Sequence, residues 1–458
     1  MFRHFISFAT IAAASFIINE SAAQQLSFQG LQVAPVSVVP PATTGLNEVF
    51  VLPYTEGATA IFTAAEPGQT ISWQRFSSLG GGYAEPVAST QNGLESTLQK
   101  LEGDMGYIIT AGSKSYYYCV TDYSNHRLWF ADLNLNAAES DCSTSWLEVD
   151  GQGPRITYYS ITGVPQTLSR ELQLTYTTLA YDEAATNYMP SQQTITLESF
   201  DVMIHCQAPL CQTDYTLSGD RFLRAWGEEQ TITSPVYDPV AVEARTSATQ
   251  TARDVDNEQK VEATLGGSGP CEITFSSAVT DAAIFHQWEI ASDPDFNMVT
   301  LRFNELEFSH TFRQQGTSYI RLVCANETGD CEFFGETYTV FIGESDIKCP
   351  NAFSPGSSEG VNDEWKVSYK SIISFECHIF NRWGQQMAHL TDPSQGWDGK
   401  SNGKTVPAGV YFYVIRAEGA DGKQYKLSGD INVVKLNKQS KGHNTTQQTD
   451  NNAPTQRL

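Results

Sequence analysis

Basic residues are scarce in this chain. Its 458 residues include 28 Lys and Arg against 52 Asp and Glu, a net charge of −24. Nucleic-acid binding relies on Lys and Arg neutralising phosphates, so this balance argues against it. It also disfavours an anionic membrane surface. Charged residues of either sign amount to only 17%, below the usual quarter. Long apolar runs are missing as well: past the N-terminal segment nothing approaches roughly 18 apolar residues, so no helix of the mature chain is expected to span a membrane. No long segment carries a 3.6-residue apolar period, which predicts few and short helices. Aromatics, in contrast, reach 11%, too many for a disordered chain. Ser, Thr, Gln and Asn supply the polarity, as in β-rich secreted proteins.

The usual signatures of chemistry are also missing. No G-x-S-x-G stands between a strand and a helix. The eight histidines, His4, His126, His205, His286, His310, His378, His389 and His443, form no H-E-x-x-H and read as strand-surface, core or tail residues. Gly80-Gly81-Gly82 has no Lys-Ser/Thr behind it and reads as a loop. Asp254/Asp256 and Asp293/Asp295 read as solvated turns rather than calcium ligands. A glycosidase carboxylate pair is defined by spatial separation and leaves no linear trace. No catalytic residue, cofactor or metal is assigned.

What is present begins with an export signal. Arg3 precedes an apolar run from Phe5 to Ile18, and Ser21-Ala22-Ala23 supplies small residues. Residues 1–23 therefore read as a Sec-type signal peptide cleaved between Ala23 and Gln24. Behind such a signal, nine cysteines read as disulfide chemistry. Zinc would want paired C-x2-C or spaced His ligands, and His205-Cys206 with Cys211 has no second half. Cys119–Cys142 and Cys206–Cys211 are the local bridges that proximity suggests, with Cys271 and Cys324 as further candidates. Several pairings fit the last five cysteines, and the odd total leaves at least one thiol unpaired or paired between molecules.

Length predicts three or four domains. Residues 24–44 (Val36-Ser37-Val38-Val39-Pro40-Pro41) read as an extended lead-in. Short alternating runs broken by Gly and Pro then predict β-sandwiches over 45–146 and 147–242. Tyr117, two residues before Cys119, resembles the tyrosine corner of immunoglobulin domains, although the earlier partner Cys is missing. Residues 243–262 are polar, their first part finishing a strand and the rest a linker. Over 263–344 the order Cys271, Trp288, Cys324 is a sandwich arrangement that places Trp288 in the core and resembles PKD-type Ig-like modules. The fold class expected is all-β, a tandem array of Ig-like sandwiches.

The strongest pattern lies in 345–435. In order come Cys349-Pro350-Asn351-Ala352-Phe353-Ser354-Pro355, Gly360-Val361-Asn362-Asp363, Phe380-Asn381-Arg382-Trp383-Gly384, Gly396-Trp397-Asp398-Gly399, Gly409-Val410-Tyr411 and a final Lys426-Leu427-Ser428-Gly429. This succession resembles the gliding motility-associated C-terminal domain, the type B sorting signal of the type IX secretion system. The resemblance implies a small β-sandwich recognised by that machinery after Sec-type export to the periplasm of a Gram-negative bacterium. The family's usual Gly-Asp-Gly step is replaced here by Gly356-Ser357-Ser358-Glu359-Gly360, so no calcium is assigned. Trp383 and Trp397 have the bulk of core anchors, and Gly396, Gly399 and Gly403 suit tight turns. Residues 436–458 lack aromatics and are expected to be a disordered tail.

The expected function is that of a non-enzymatic, secreted or surface-displayed protein. Its first sandwiches are expected to bind an unknown surface protein or glycan. The rivals are a secreted hydrolase with catalytic residues in 45–242 and a structural subunit of a surface assembly joined by strand addition.

Overall fold

The computed structural model describes residues 26–78, 84–357, 360 and 362–435. The signal segment with Ala23 and Gln24, the Gly80-Gly81-Gly82 loop and the 436–458 tail lie outside the described residues. The described chain is an all-β array of sandwiches, and its one α-helix is Arg221–Trp226. It divides into two compact units. The first comprises the described residues up to Ala180 together with Met189–Ala241, and the second comprises Tyr181–Tyr188 with the described residues from Val242 onward.

The first unit holds two cores. In one, a four-stranded sheet (Leu26–Gln29, Thr59–Thr63, Glu95–Leu98, Thr90–Asn92) faces a six-stranded sheet built on Glu48–Leu52, Lys114–Asp122, Met105–Ala111 and Ile71–Phe76. Trp73, Phe62, Phe50 and Tyr107 fill the space between them. The expected lead-in is part of this sandwich: Leu26–Gln29 pairs with Thr59–Thr63 and Val36–Val38 with Glu48–Leu52. An extended sequence does not reveal whether its backbone groups find a partner; here they do, and Leu26 is buried.

The boundary expected after residue 146 also moves. Trp129–Leu135 and Thr144–Gln152 are a hairpin paired onward to Met203–Gln207, so both strands belong to the second sandwich. The turn between them reads in sequence as a domain break. Its polar residues are caps instead: Asp141 accepts hydrogen bonds from the N–H groups of Ser143 and Thr144, both at 2.8 Å. The core of this sandwich gathers Leu133, Leu147, Leu174, Tyr215 and Phe222.

The second unit also holds two cores. Ala244–Gln250, Cys271–Val279 and Glu307–Phe312 form one sheet, facing another that contains Phe285–Ala291, Gly316–Ala325 and Tyr338–Ile342. Trp288 is fully buried between them, packed on Phe275 and Phe308. The strand in the first part of 243–262 is Ala244–Gln250, and the part expected as a linker straps onto the C-terminal domain. Asn257 Nδ2 donates to the carbonyls of Val367 and Pro393 at 2.7 and 2.8 Å, and Gln259 N donates to Tyr369 O at 2.7 Å.

The C-terminal domain is built on a five-stranded sheet. Its order is Ala352–Phe353, Gln424–Val433, Gly409–Gly419, Ile372–Phe380, Gln386–Leu390. Period-2 alternation puts Phe375, Cys377 and Ile379 inward with Tyr411, Ile415 and Ala417. They pack with Trp365, Trp397 and Phe353.

The expected disulfides are corrected. Cys119, Cys206, Cys271 and Cys324 are thiols, whereas Cys142 and Cys331 are disulfide-bonded. Neither Cys119–Cys142 nor Cys206–Cys211 forms. Cys119 faces into its core, where its Sγ lies 3.6 Å from Tyr159 O. Spatial separation and the direction of Cβ, not proximity along the chain, decide which sulfurs can meet.

Candidate functional site

Most of the C-terminal motif residues build the domain. Trp365 Nε1 donates to Pro350 O at 2.7 Å, and Asn432 N donates to Asn351 O at 2.8 Å. Phe353 is buried against the Trp397 ring. Ser354 N donates to Asn362 O, and the Asp363 carboxylate accepts from the N–H groups of Gly356 and Gly360 at 2.9 and 2.8 Å. Asp363 thereby closes the loop that follows Pro355. Trp397 Nε1 donates to Lys400 O, and Asp398 accepts from Lys400 N and Nζ. Gly399 has φ +69. Gly409 opens its strand, and the Tyr411 hydroxyl reaches Pro407 O at 3.0 Å. Gly429 lies opposite Tyr413; a Cβ there would stand 2.6 Å from the Tyr413 hydroxyl and 2.8 Å from its ring. Gly396 differs from expectation: its φ is not positive, and it is small because Glu364 and Lys366 press on it.

Arg382 and Trp383 do something else. The hairpin turn is held by Asn381, whose Oδ1 accepts from Trp383 N and Gln385 N, both at 3.0 Å, while Gly384 turns at φ +81. This places Trp383 at the tip with 75% of its surface exposed, so it is not the core anchor expected. Trp397, by contrast, is bonded backbone to backbone with Trp365 and buried. The Arg382 guanidinium lies 4.0 Å from the Trp383 ring centroid, a cation–π contact. Both line a cavity of about 400 Å³ with Met387, Val406, Pro407 and Val410.

The outer face of the sheet continues from this tip. Val410, Phe412 and Val414 alternate outward, and each is more than 40% exposed. Phe380 stands opposite Phe412 in register. An apolar row left uncovered beside an exposed Trp is the composition of a protein-recognition surface. Along the same face the row gives way to Glu376, His378 and His389. The sequence reading passed over this trio. Its available signal was symmetry: His378 lies five residues before Trp383 and His389 five after Gly384, so a turn centred there pairs them.

Elsewhere the expected site residues resolve into structure. Tyr117 faces out of its core between Tyr116 and Tyr118; Tyr107 makes the corner-like contact instead, its hydroxyl bonding Glu102 N and O at 2.9 Å. His205 packs at a tilt against Trp146, and Cys206 is a buried thiol whose pKa burial raises to about 11. Burial likewise raises Cys119, Cys324 and Cys377 to about 12, the opposite of an activated nucleophile. Asp293 accepts from the N–H groups of Asp295, Asn297 and Met298, and Asp256 pairs with Lys366. In the first unit, Asp220 is buried with Arg170, accepts from the Tyr123 hydroxyl at 2.9 Å, and caps the Arg221–Trp226 helix through Phe222 N and Leu223 N. That cluster is sealed from solvent and serves the fold.

Residues 347–433 match the CHU_C Type IX secretion signal domain, and residues 134–234 match the Fibronectin type III domain. No curated protein matches the chain. Among solved structures, dimeric latent PorU from Porphyromonas gingivalis is similar over 70% of this chain and 35% of that one, at 11% identity and TM-score 0.16. So low a score supports nothing further, and the chain spans about a third of that structure's length. The protein thus carries a type IX secretion signal domain behind a fibronectin type III, Ig-like domain. A domain of this class implies recognition by the type IX machinery and export to the outer-membrane surface or beyond it. Among the described residues no helix is long and apolar enough to cross a membrane.

Proposed function

We propose that this is a non-enzymatic exported protein whose signal domain is read through its outer face, and whose leading sandwiches bind a surface protein or glycan. In this reading, residues 1–23 carry the chain into the periplasm by a Sec-type step. Residues 263–344 form a PKD-type spacer ahead of the signal domain. The observation carrying the proposal is the signal-domain match over 347–433, joined to an exposed Trp383 and an apolar row that the fold itself does not need. Two features support the absence of catalysis. The buried thiols are held protonated, and in the groove of about 520 Å³ beside Phe285 and His286 the Glu289 carboxylate is engaged by Arg321 and Arg302. Rigid sandwiches recognise partners through loops and sheet edges.

Deleting residues 345–458 in a type IX-competent host tests the sorting reading. Periplasmic retention is expected; unchanged surface display would overturn it. Turnover of a substrate by the purified full chain would overturn the non-enzymatic part.

A further inference from the structure

The trio on the outer face has a geometry that the sorting reading does not use. Ile372–Phe380 and Gln386–Leu390 are antiparallel, with His378 directly opposite His389. Opposed residues in such a pair share a face with their Cβ atoms about 5 Å apart. Glu376 precedes His378 by two positions and so projects from the same face. The two imidazole rings stack with centroids 4.3 Å apart and planes 5° apart. Glu376 Oε1 lies 3.3 Å from His378 Nε2 and 3.2 Å from His389 Nε2. One donor atom from each residue falls within 4.8 Å of the other two. Among the described residues the Glu376 carboxylate lies within reach of these two imidazoles and pairs with no Lys or Arg, although Arg416 is its register partner on the next strand.

We propose that Glu376, His378 and His389 bind one divalent late-transition ion of the Zn2+ type on the outer face of the signal domain. Two imidazole nitrogens and one carboxylate oxygen are the donors such an ion prefers. Calcium and magnesium want more oxygen ligands than this trio supplies. Three protein donors leave further positions to water, as in open zinc sites. Each imidazole contributes its Nε2 lone pair, so protons held at those nitrogens leave as the ion enters. Parallel rings aim their lone pairs side by side, so binding turns the rings apart and opens the stack. The side chains are 31%, 39% and 48% exposed for His378, His389 and Glu376, which leaves room for that rotation and for entry of the ion.

The test is titration of the full mature chain with Zn2+ alone, read by calorimetry and by X-ray absorption of the bound ion. The wild-type chain is expected to take up one equivalent with two imidazoles in its coordination shell, unaffected by excess Ca2+ or Mg2+. The double variant His378→Gln/His389→Gln should bind that equivalent at least about 100-fold more weakly, and Glu376→Gln about 10-fold more weakly. Because all three positions lie on the solvent face, the thermal transitions of the metal-free variants should match wild type. Equal Zn2+ affinity and stoichiometry in wild type and double variant would overturn the proposal, as would a bound ion without two imidazole ligands.

Discussion

The fibronectin-type sandwich and the signal domain are both small β-layered units, yet they place their unusual residues on opposite sides of the sheet. In the first, charge is turned inward: Arg170 and Asp220 meet in the core beneath Tyr123. In the second, apolar bulk is turned outward: Trp383, Val410, Phe412 and Val414 stand in solvent. An inward ion pair gains no partner outside the protein, and its desolvation is offset by further hydrogen bonds: Arg170 Nη2 donates to the carbonyls of His126 and Pro154, although its Nε meets no partner among the described residues. An outward aromatic adds nothing to its own core and is useful only when something covers it. The contrast separates a scaffold held by its interior from a domain that, in the function proposed above, is read by its surface.

The sharpest way to break the comparison is Asp220→Ala. It strands the Arg170 charge in the core and removes the cap from the Arg221–Trp226 helix. Breaking a buried pair on one side costs about 3–5 kcal/mol. In calorimetry of the full chain, one transition should fall by at least about 10 °C while the others hold. A shift under about 1 kcal/mol would show that the pair is not what fixes this sandwich.

A second test stays inside the signal domain and compares its two motif tryptophans. Trp397→Ala empties a packed site beside Phe353 and Tyr411 and should cost about 3–5 kcal/mol. Trp383→Ala, at a position 75% exposed, should change stability by no more than about 0.5 kcal/mol. Export should order the two differently: Trp383→Ala should lower the surface-displayed fraction without lowering the melting transition. If Trp383→Ala is exported as well as wild type, the outer face is not what the machinery reads.

Much of the array is legible in the sequence, because period-2 alternation reports burial directly. Phe375, Cys377 and Ile379 show it plainly. What sequence could not separate are residues with similar neighbours and opposite surroundings. Trp383 and Trp397 each adjoin a glycine; one crowns a hairpin and the other is pinned to Trp365. Tyr117 was one position out of phase with the inward face. Among the cysteine candidates Cys142 is disulfide-bonded, but the pairings expected from proximity fail because spacing carries no direction. The Glu376–His378–His389 trio was hidden because cross-strand partnership depends on where the turn is centred, and a register shift between Ile379 and Phe380 disturbs the count. Pairing of Leu26–Gln29 and Val36–Val38 was hidden for a related reason: extended backbone looks alike whether or not a strand lies beside it.

The weakest expected effect asks whether outward charge in the signal domain matters at all. Asp398 belongs to its motif, yet its carboxylate is 44% exposed. The Lys400 side chain hydrogen-bonded to it, at 2.7 Å, holds its pKa below the usual carboxylate value, with the Lys400 N–H adding to the effect. A depressed folded-state pKa contributes stability above the unfolded value, near 4, and loses it as pH falls through the folded value. Solvent screening limits an exposed pair to a few tenths of a kcal/mol. Asp398→Asn should therefore lower the signal domain's melting transition slightly at neutral pH, and the difference should close on acidification below the carboxylate range. A difference that persists at acid pH would mean that Asp398 acts through something other than its charge, since an Asn oxygen can still accept from the Lys400 N–H.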